Sequence, residues 1–385
     1  MSNFNINGDC HYLRATFVSR PNRFLVRCQT ADHGVIEAFM PNPGRMWELL
    51  LPGVTLYLTE DAAPDSTRKT QFTVLAVERD GAPVFLHTHA NNAVVRALLE
   101  QRRIPGLKTA TVIRHEVRVG RSRFDFLLRQ GGRDVLLEVK SCTLFGNRIA
   151  MFPDAITERG RKHLLELAEI GEHGVKPVVL FLIHTPNVDC FMPDYHTDLA
   201  FSRTLLEVRD KVRILPVSIG WSRELRLEGP TRVVDIPWQY IAKEAQDRGG
   251  YLLILHLKSD RTIQVGELGR FVFQAGYHLY AGSAIKNLSA RLARHNRFRK
   301  KLHWHIDYLR AAADEVIPAP IRGSAPMENE LVHALAQVYA PGPVGFGASD
   351  TANTTHLFYS KENPLHSEAF HALLADFRMR GNWER

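Results

Sequence analysis

Residues 122–144 constrain the chain more than any other stretch. Ser122, Arg123, Phe124, Asp125, Phe126, Leu127 and Leu128 form an apolar run, and Gln130-Gly131-Gly132 follows as a turn. Asp134, Val135, Leu136, Leu137, Glu138, Val139, Lys140 and Ser141 form a second run. The glycine pair suits a tight reversal, so the stretch predicts an antiparallel hairpin. Glu138 and Lys140 are two apart and point to one side of their strand. Antiparallel pairing brings Asp125 near them. Two converging carboxylates repel each other unless a cation lies between them, and Mg²⁺ or Mn²⁺ prefers such oxygen ligands. The same spacing also fits a plain hairpin whose Glu138 and Lys140 form a surface pair.

The words around this hairpin carry a resemblance. "SRFDFLL", "LLEVKSCTL", "FPDAITERGRKHLLEL" and the earlier "MPNPGRM" resemble the sugar fermentation stimulation protein family over about residues 11–238. The resemblance implies an OB barrel followed by a PD-(D/E)xK nuclease-like α/β domain, with DNA binding and nuclease activity. In that reading Asp125, Glu138 and the Val139 carbonyl hold Mg²⁺ or Mn²⁺. Lys140 orients or deprotonates the attacking water, and Arg159 and Lys162 position the nucleic-acid backbone.

A chain of 385 residues is too long for one ordinary core and predicts two or three domains. It contains no run of 18 apolar residues, and MSNFNINGDC lacks the pattern of a secretory signal. Cys10, Cys28, Cys142 and Cys190 include no Cys-x-x-Cys pair, which fits reduced thiols in a cytoplasm. A formal charge of +8 attracts polyanions. DNA or RNA is therefore the expected partner, with no membrane.

Residues 1–88 read as an OB-like barrel of about five short strands separated by Pro, Gly, Asn and Asp. Arg14, Arg20, Arg23, Phe24 and Arg27 are its candidate nucleic-acid contacts; a solvated sheet face is the alternative. In "MPNPGRM" the prolines stiffen a turn that offers Asn42 and Arg45 to a phosphate, unless it is only a hairpin corner.

Residues 89–240 read as the α/β domain. Asn91–Ile104 has a helical apolar stripe, with Asn91 or Asn92 as cap. The next strand brings up Glu116, either a third acid or an edge-strand glutamate. Asp154 is placed to cap a helix starting near Ala155. Arg159, Lys162 and His163 leave one side of that helix basic, and Gly160 within it costs about 1 kcal/mol against alanine. "KPVVLFLIH" reads as a buried central strand.

A polar run from Lys243 to Gly250 reads as a linker, and 245–385 as a small basic α+β domain. Residues 286–310 hold eight Lys or Arg and one Asp. Arg291, Arg294 and Arg297 on the predicted helix face phosphate. "GYLLIL", "YHLYAGSA", "LSARLARHNR", "KKLHWHIDYL", "ENELV" and "THLFYS" resemble GIY-YIG-related domains. That resemblance implies a second site from Tyr251, Tyr280, Arg291 and Glu330. The tyrosines stand farther apart than in the usual two-strand motif. Thr351, Ala352 and Asn353 replace a Cys-x-Cys pair found in many relatives, so zinc on His295, His303, His305 or His356 is not expected.

Together these features predict a nucleic-acid-binding protein with Mg²⁺- or Mn²⁺-dependent phosphodiester hydrolysis in the central domain. The alternative is a non-enzymatic DNA-binding protein with a regulatory role in sugar metabolism. No sugar ligand is expected.

Overall fold

The structure is a computed structural model and describes residues 12–60, 70–120, 122–348 and 351–380; Cys10 lies outside them. The chain forms two compact units. One takes the residues up to Asp194 together with Ala200–Trp238, the other Tyr195–Leu199 and the residues from Gln239 onward.

The first unit begins with β1 (Leu13–Asn22), β2 (Leu25–Thr30), β3 (Gly34–Phe39), β4 (Thr55–Glu60), β5 (Phe72–Arg79) and β6 (Ala82–Phe85). Their order is β3-β2-β1-β4-β5-β6, and β3 also pairs with β5 through Ala38↔Phe72 and Phe39↔Thr73. That pairing closes β3, β2, β1, β4 and β5 into an OB-like barrel, and β6 extends the sheet beyond β5. Alternation along β1 and β2 turns Ala15, Phe17, Val26 and Cys28 inward.

Next come α1 (Asn91–Glu100), β7 (Thr111–Val119), β8 (Ser122–Gln130), β9 (Arg133–Cys142), β10 (Leu144–Gly146) and β11 (Ile149–Phe152). They are followed by α2 (Glu158–Gly171), β12 (Lys176–Ile183), β13 (Cys190–Pro193), α3 (Leu199–Val208), β14 (Arg213–Trp221) and β15 (Leu227–Val233). The main sheet runs β15-β14-β12-β9-β8-β7, with β9, β12 and β14 parallel. β12 is buried on both sides, as the unbroken apolar run predicts. Its Val179, Phe181 and Ile183 pack with Leu164 and Leu167 of α2 and Phe201 and Leu205 of α3. Its Val178, Leu180 and Leu182 pack with Val94, Val95 and Leu98 of α1. Helices on both faces of one sheet make the α/β sandwich.

Three local expectations fail here. α1 stops at Glu100, four residues short. Its N-cap is Ala90, without a side-chain cap, because Asn92 is drawn elsewhere. Asp154 does not cap α2; Thr157 does, accepting from the Gly160 N–H at 3.0 Å. A Cβ on Gly160 would sit 2.8 Å from Thr157 Oγ1 and 3.4 Å from Phe201, so this glycine lets the cap and α3 approach.

In the second unit α4 (Trp238–Glu244) leads to β16 (Gly249–Leu257), shortening the expected linker to 245–248. β17 (Arg261–Val265) and β18 (Gly269–Phe273) form a separate ribbon before β19 (Gly276–Ala284). Then follow α5 (Leu288–Asn296), α6 (His305–Ala312), β20 (Glu315–Arg322), α7 (Glu328–Val338), β21 (Ala340–Pro341), β22 (Leu357–Ser360) and α8 (Glu368–Arg378). The five-stranded sheet runs β20-β16-β19-β22-β21. β16 and β19 pair with Tyr251↔Gly282 and Leu253↔Tyr280. The long separation of the tyrosines is thus an inserted ribbon, and pairing closes it.

Candidate functional site

The hairpin forms as the sequence predicts. β8 and β9 pair with Phe126↔Leu137 and Leu128↔Val135, and Gly131 and Gly132 take φ of 55° and 76°. Two left-handed residues in succession give the tight turn that matches strand twist.

Asp125 on β8 meets Glu138 and Lys140 on β9. Asp125 Oδ2 accepts from the Val139 N–H at 2.7 Å, and Oδ1 accepts from Asn92 Nδ2 at 2.8 Å. Burial, reinforced by the nearby Glu138 charge, pushes the Asp125 carboxyl up to about 6, against the opposing pull of Asn92, Val139 and Lys140. Glu138 is 4% exposed. Burial raises its pKa too, but the His163 and Lys140 contacts outweigh it and hold the group below its ordinary value. Glu138 Oε1 takes both partners, Lys140 Nζ at 2.7 Å and His163 Nδ1 at 2.6 Å. Its Oε2 is buried without a hydrogen-bond partner among the described residues.

His163 is the residue that sequence reading places wrongly. The sequence groups it with the basic side of α2, yet it is 3% exposed and points at Glu138. A carboxylate only accepts, so Nδ1 carries the proton. Nε2 then faces Arg159 Nε at 3.4 Å. The available signal is its position beside Leu164 and one turn before Leu167, on the buried stripe.

Asn92, Asp125, Glu138 and Lys140 line a cavity of about 700 Å³, along with Glu116, Arg159, Arg23 and Asn42. Val139 lines it too, with its N–H engaged by Asp125. Glu116 lies on the edge strand β7, 3.4 Å from Arg123. Its φ of 51° is uncommon for a residue with a side chain. Lys162 is exposed on α2 and pairs with Glu166 at 3.6 Å, away from the lining.

The barrel arginines have different partners. Arg14 pairs with Glu78 at 2.9 Å and Arg27 with Glu37 at 3.0 Å; Arg23 alone of the three lines the cavity. Arg20 is structural: it donates to the carbonyls of Arg23, Asn42, Gly44 and Arg45. Phe24 is exposed. Asn42 Oδ1 accepts from the Gly44 N–H at 2.9 Å. Arg45 is turned away from the role expected of it: Nε donates to the Asp154 carbonyl at 2.6 Å, and the guanidinium lies 4.6 Å from the Trp47 ring. Asp154 Oδ2 accepts from the Met46 N–H at 2.5 Å. Burial, with Glu48 nearby, pushes Asp154 up to about 7 despite Arg45.

The second unit assembles a different cluster. The Tyr251 and Tyr280 rings are 6.5 Å apart, and Tyr251 Oη lies 3.0 Å from His295 Nε2. Burial pushes Tyr251 up to about 12, opposed by Arg291, and pushes His295 down to about 3, helped by Lys300. Arg291 donates to the Ser283 carbonyl at 2.6 Å and lies 5.0 Å from the Trp304 ring. Glu330 is not part of this group; it is exposed and pairs with Arg380 at 2.7 Å. Glu328 takes that place, accepting from the Ser283 hydroxyl and lying 3.2 Å from His356 Nδ1. Arg294 is committed to the fully buried Asp307 through bonds of 2.9 and 2.7 Å, so it does not face solvent phosphate as expected. Arg297 ends α5 and is exposed.

Among the described residues no group of three or more His, Cys, Asp or Glu side chains is arranged to hold a metal ion. Cys28, Cys142 and Cys190 are buried. No described helix is long and apolar enough to cross a membrane.

Three family descriptions match the chain: the SfsA N-terminal OB domain over 18–86, the sugar fermentation stimulation protein RE domain over 89–224, and domain of unknown function DUF123 over 250–379. A solved structure of Pyrococcus furiosus SfsA in complex with Ca²⁺ is similar, with TM-score 0.54 and 25% identity over 61% of this chain and 99% of that one. A sugar fermentation stimulation protein homolog of Chloroflexus aurantiacus is 40% identical over 197 residues, 51% of this chain and 75% of the relative. The homolog of Methanosphaera stadtmanae is 37% identical over 207 residues, 53% of this chain and 86% of the relative. With that much of its relatives covered, the chain belongs to the sugar fermentation stimulation protein family and carries a DUF123 domain after the shared part.

Proposed function

We propose that this protein binds nucleic acid, DNA or RNA, and acts through that binding, with a regulatory role in sugar metabolism as its physiological setting. The observation that supports this best is the cavity where Lys140, Arg159 and Arg23 line the walls beside Asp125 and Glu138. Cationic side chains on one concave surface suit a phosphate backbone. In this reading residues 1–88 form an OB-like nucleic-acid-binding barrel, 89–240 a PD-(D/E)xK-like domain and 245–385 a GIY-YIG-like basic domain. Arg291 and the exposed Arg297 extend the contact in the third part. No sugar or membrane partner is proposed.

Phosphodiester hydrolysis is the second reading, favoured by the unpartnered Glu138 Oε2. An orphaned, buried carboxylate oxygen beside a second carboxylate fits a hard divalent ion, with Asp125, Glu138 and the Val139 carbonyl as its proposed holders. The Pyrococcus relative is described with Ca²⁺, an ion of the same oxygen-seeking kind. Bound there, Mg²⁺ or Mn²⁺ would neutralise phosphate charge and lower the pKa of a water. The chain's own groups divide the remaining work. Lys140, held by Glu138, orients or deprotonates the water. Arg159 and Arg23 bind the strand. His163 fixes Glu138, and Glu116 is a reserve acid at the mouth. A second cleavage site is proposed at Tyr251, Tyr280 and Arg291, with Glu328 as the acid in place of Glu330.

The test uses the full chain with labelled single- and double-stranded DNA and RNA, in EDTA and in Mn²⁺ or Mg²⁺. Binding in EDTA that weakens steeply with salt supports the first reading. Cleavage in Mn²⁺ that disappears in both Asp125→Asn and Glu138→Gln adds the second. Absence of binding to every strand would overturn both.

A further inference from the structure

Between α5 and α6 the sequence reads Arg297, Phe298, Arg299, Lys300, Lys301 and Leu302. Phe298 is 62% exposed, so it adds little to the core. Its ring is nevertheless held. The Arg310 guanidinium of α6 lies over it, 5.5 Å from the centroid, within the range of a cation–π contact. Arg310 is buried. Its Nε donates to the His295 carbonyl at 3.1 Å and its Nη2 to the Asn296 carbonyl at 3.0 Å, both in the last turn of α5. A fixed cation thus backs one face of the ring, and the open area lies on the side away from it. We propose that Phe298 is a stacking platform for an unpaired base of single-stranded nucleic acid, with Arg297, Arg299 and Lys301 taking the neighbouring phosphates. This inference rests on the nucleic-acid reading and adds the strand state and the residue that selects it.

The charge around the ring is uncompensated. Arg297, Arg299 and Lys301 are exposed, and their side chains make no hydrogen bond or ion pair among the described residues. Asp307, the one acid in 286–310, is buried and takes Arg294 and Lys300 instead. Neighbouring Cα atoms are about 3.8 Å apart, so the flanking cations lie within a side chain's length of the phosphates on either side of a base resting on Phe298. An aromatic face among cations is the pairing by which proteins hold single strands.

The ring also decides the strand state. A base inside a duplex already has a neighbour on each face, so only an unpaired base can lie on Phe298. A phenyl ring carries no donor or acceptor, and every base has a π-face, so the contact reads no sequence. The cations alone would hold either form, because both present phosphates. The preference for a single strand therefore falls to Phe298, and Arg310 spares the ring the entropy of being ordered on binding.

The full chain, in EDTA, is titrated with a labelled short oligothymidylate, with an abasic strand carrying as many phosphates, and with the oligothymidylate–oligoadenylate duplex. Phe298→Ala should weaken oligothymidylate roughly tenfold and leave the abasic strand and the duplex as they were. Its salt slope should not move, because stacking releases no counterion. Phe298→Leu keeps apolar bulk without an aromatic face and should lose nearly as much, whereas Phe298→Trp should bind at least as tightly as the wild type. Arg299→Ala should weaken oligothymidylate and the abasic strand alike and lower the slope by about 0.7. The inference alone is overturned if the wild type binds oligothymidylate and Phe298→Ala keeps full affinity, or Phe298→Leu does should the alanine variant not fold. It is equally overturned if these variants weaken the abasic strand or the duplex as much as oligothymidylate. A wild type that binds no strand overturns the nucleic-acid reading and this inference with it.

Discussion

Asp125→Asn isolates the electrostatics of the candidate site. In the folded chain burial and Glu138 raise the Asp125 carboxyl from 3.8 to about 6. A rise of that size corresponds to about 3 kcal/mol as an order of magnitude. A raised carboxylate binds its proton more tightly when folded. Its favourable contribution is complete below about pH 4, and is lost as pH rises through about 6. At pH 7 and above the ionised group therefore destabilises the hairpin. Asparagine is isosteric and does not titrate. Its oxygen keeps the Val139 N–H, and its amide pairs with Asn92 once that side chain flips. The variant should be the more stable protein at about pH 7.5 in EDTA, by up to about 3 kcal/mol, and nearly equal only below about pH 4. Mn²⁺ should narrow the gap, because an ion bound only by the native wild type stabilises it by mass action. Having two compact parts makes bulk unfolding composite, so hydrogen exchange of peptides from 122–142 is the assay. A wild type more stable than the variant at about pH 7.5 in EDTA, or a gap that does not change with pH, would falsify the electrostatic account.

His163→Gln should lower Lys140 and Glu138 order and cost about 1–3 kcal/mol, since Glu138 Oε1 loses a buried donor; exchange of the β9 peptides measures it. Arg294→Ala should destabilise the second unit by about 3–5 kcal/mol by leaving Asp307 with fewer cations, whereas Arg297→Ala should leave stability unchanged and lower the salt slope of nucleic-acid binding by roughly one. Thermal melts and salt titrations separate the two. Should the second unit cleave, Glu328→Gln should abolish that activity and Glu330→Gln should leave it, read from labelled-strand cleavage in Mn²⁺.

Period-two alternation and turn chemistry make the barrel and the hairpin legible, and an unbroken apolar run does so for β12, because each is a local rule. The trio at Asp125, Glu138 and Lys140 is legible for the same reason: strand pairing follows from the glycine turn, and residues two apart share a face. What fails depends on partners distant in sequence. Asn92 looks like a helix cap until β8 brings Asp125 within 2.8 Å of it. Asp154 looks like a cap until the Met40–Met46 loop delivers the Met46 N–H and Arg45 to it. A polar side chain near a helix start has one local use and many tertiary ones, and buried tertiary partners are the stronger claim because leaving them unpaired costs more.

Basic runs mislead in a related way. Counting Arg and Lys over 286–310 predicts a phosphate-facing helix, but count does not separate a solvated cation from one buried against an anion. Asp307 is the single acid in that run, and it is fully buried. A buried carboxylate must draw cations and N–H groups inward. It takes Arg294, Lys300 at 2.7 Å and the N–H groups of His303 and Trp304. The isolated acid thus marks Arg294 and Lys300 as structural, Arg310 is buried against the His295 and Asn296 carbonyls, and the exposed Arg297 keeps its charge at the surface. Glu328 and Glu330 follow the same logic. They are two apart on α7, so they point in different directions, and only Glu328 is turned toward Ser283 and His356. Helical geometry, more than residue type, decides which of two neighbouring acids a site can use.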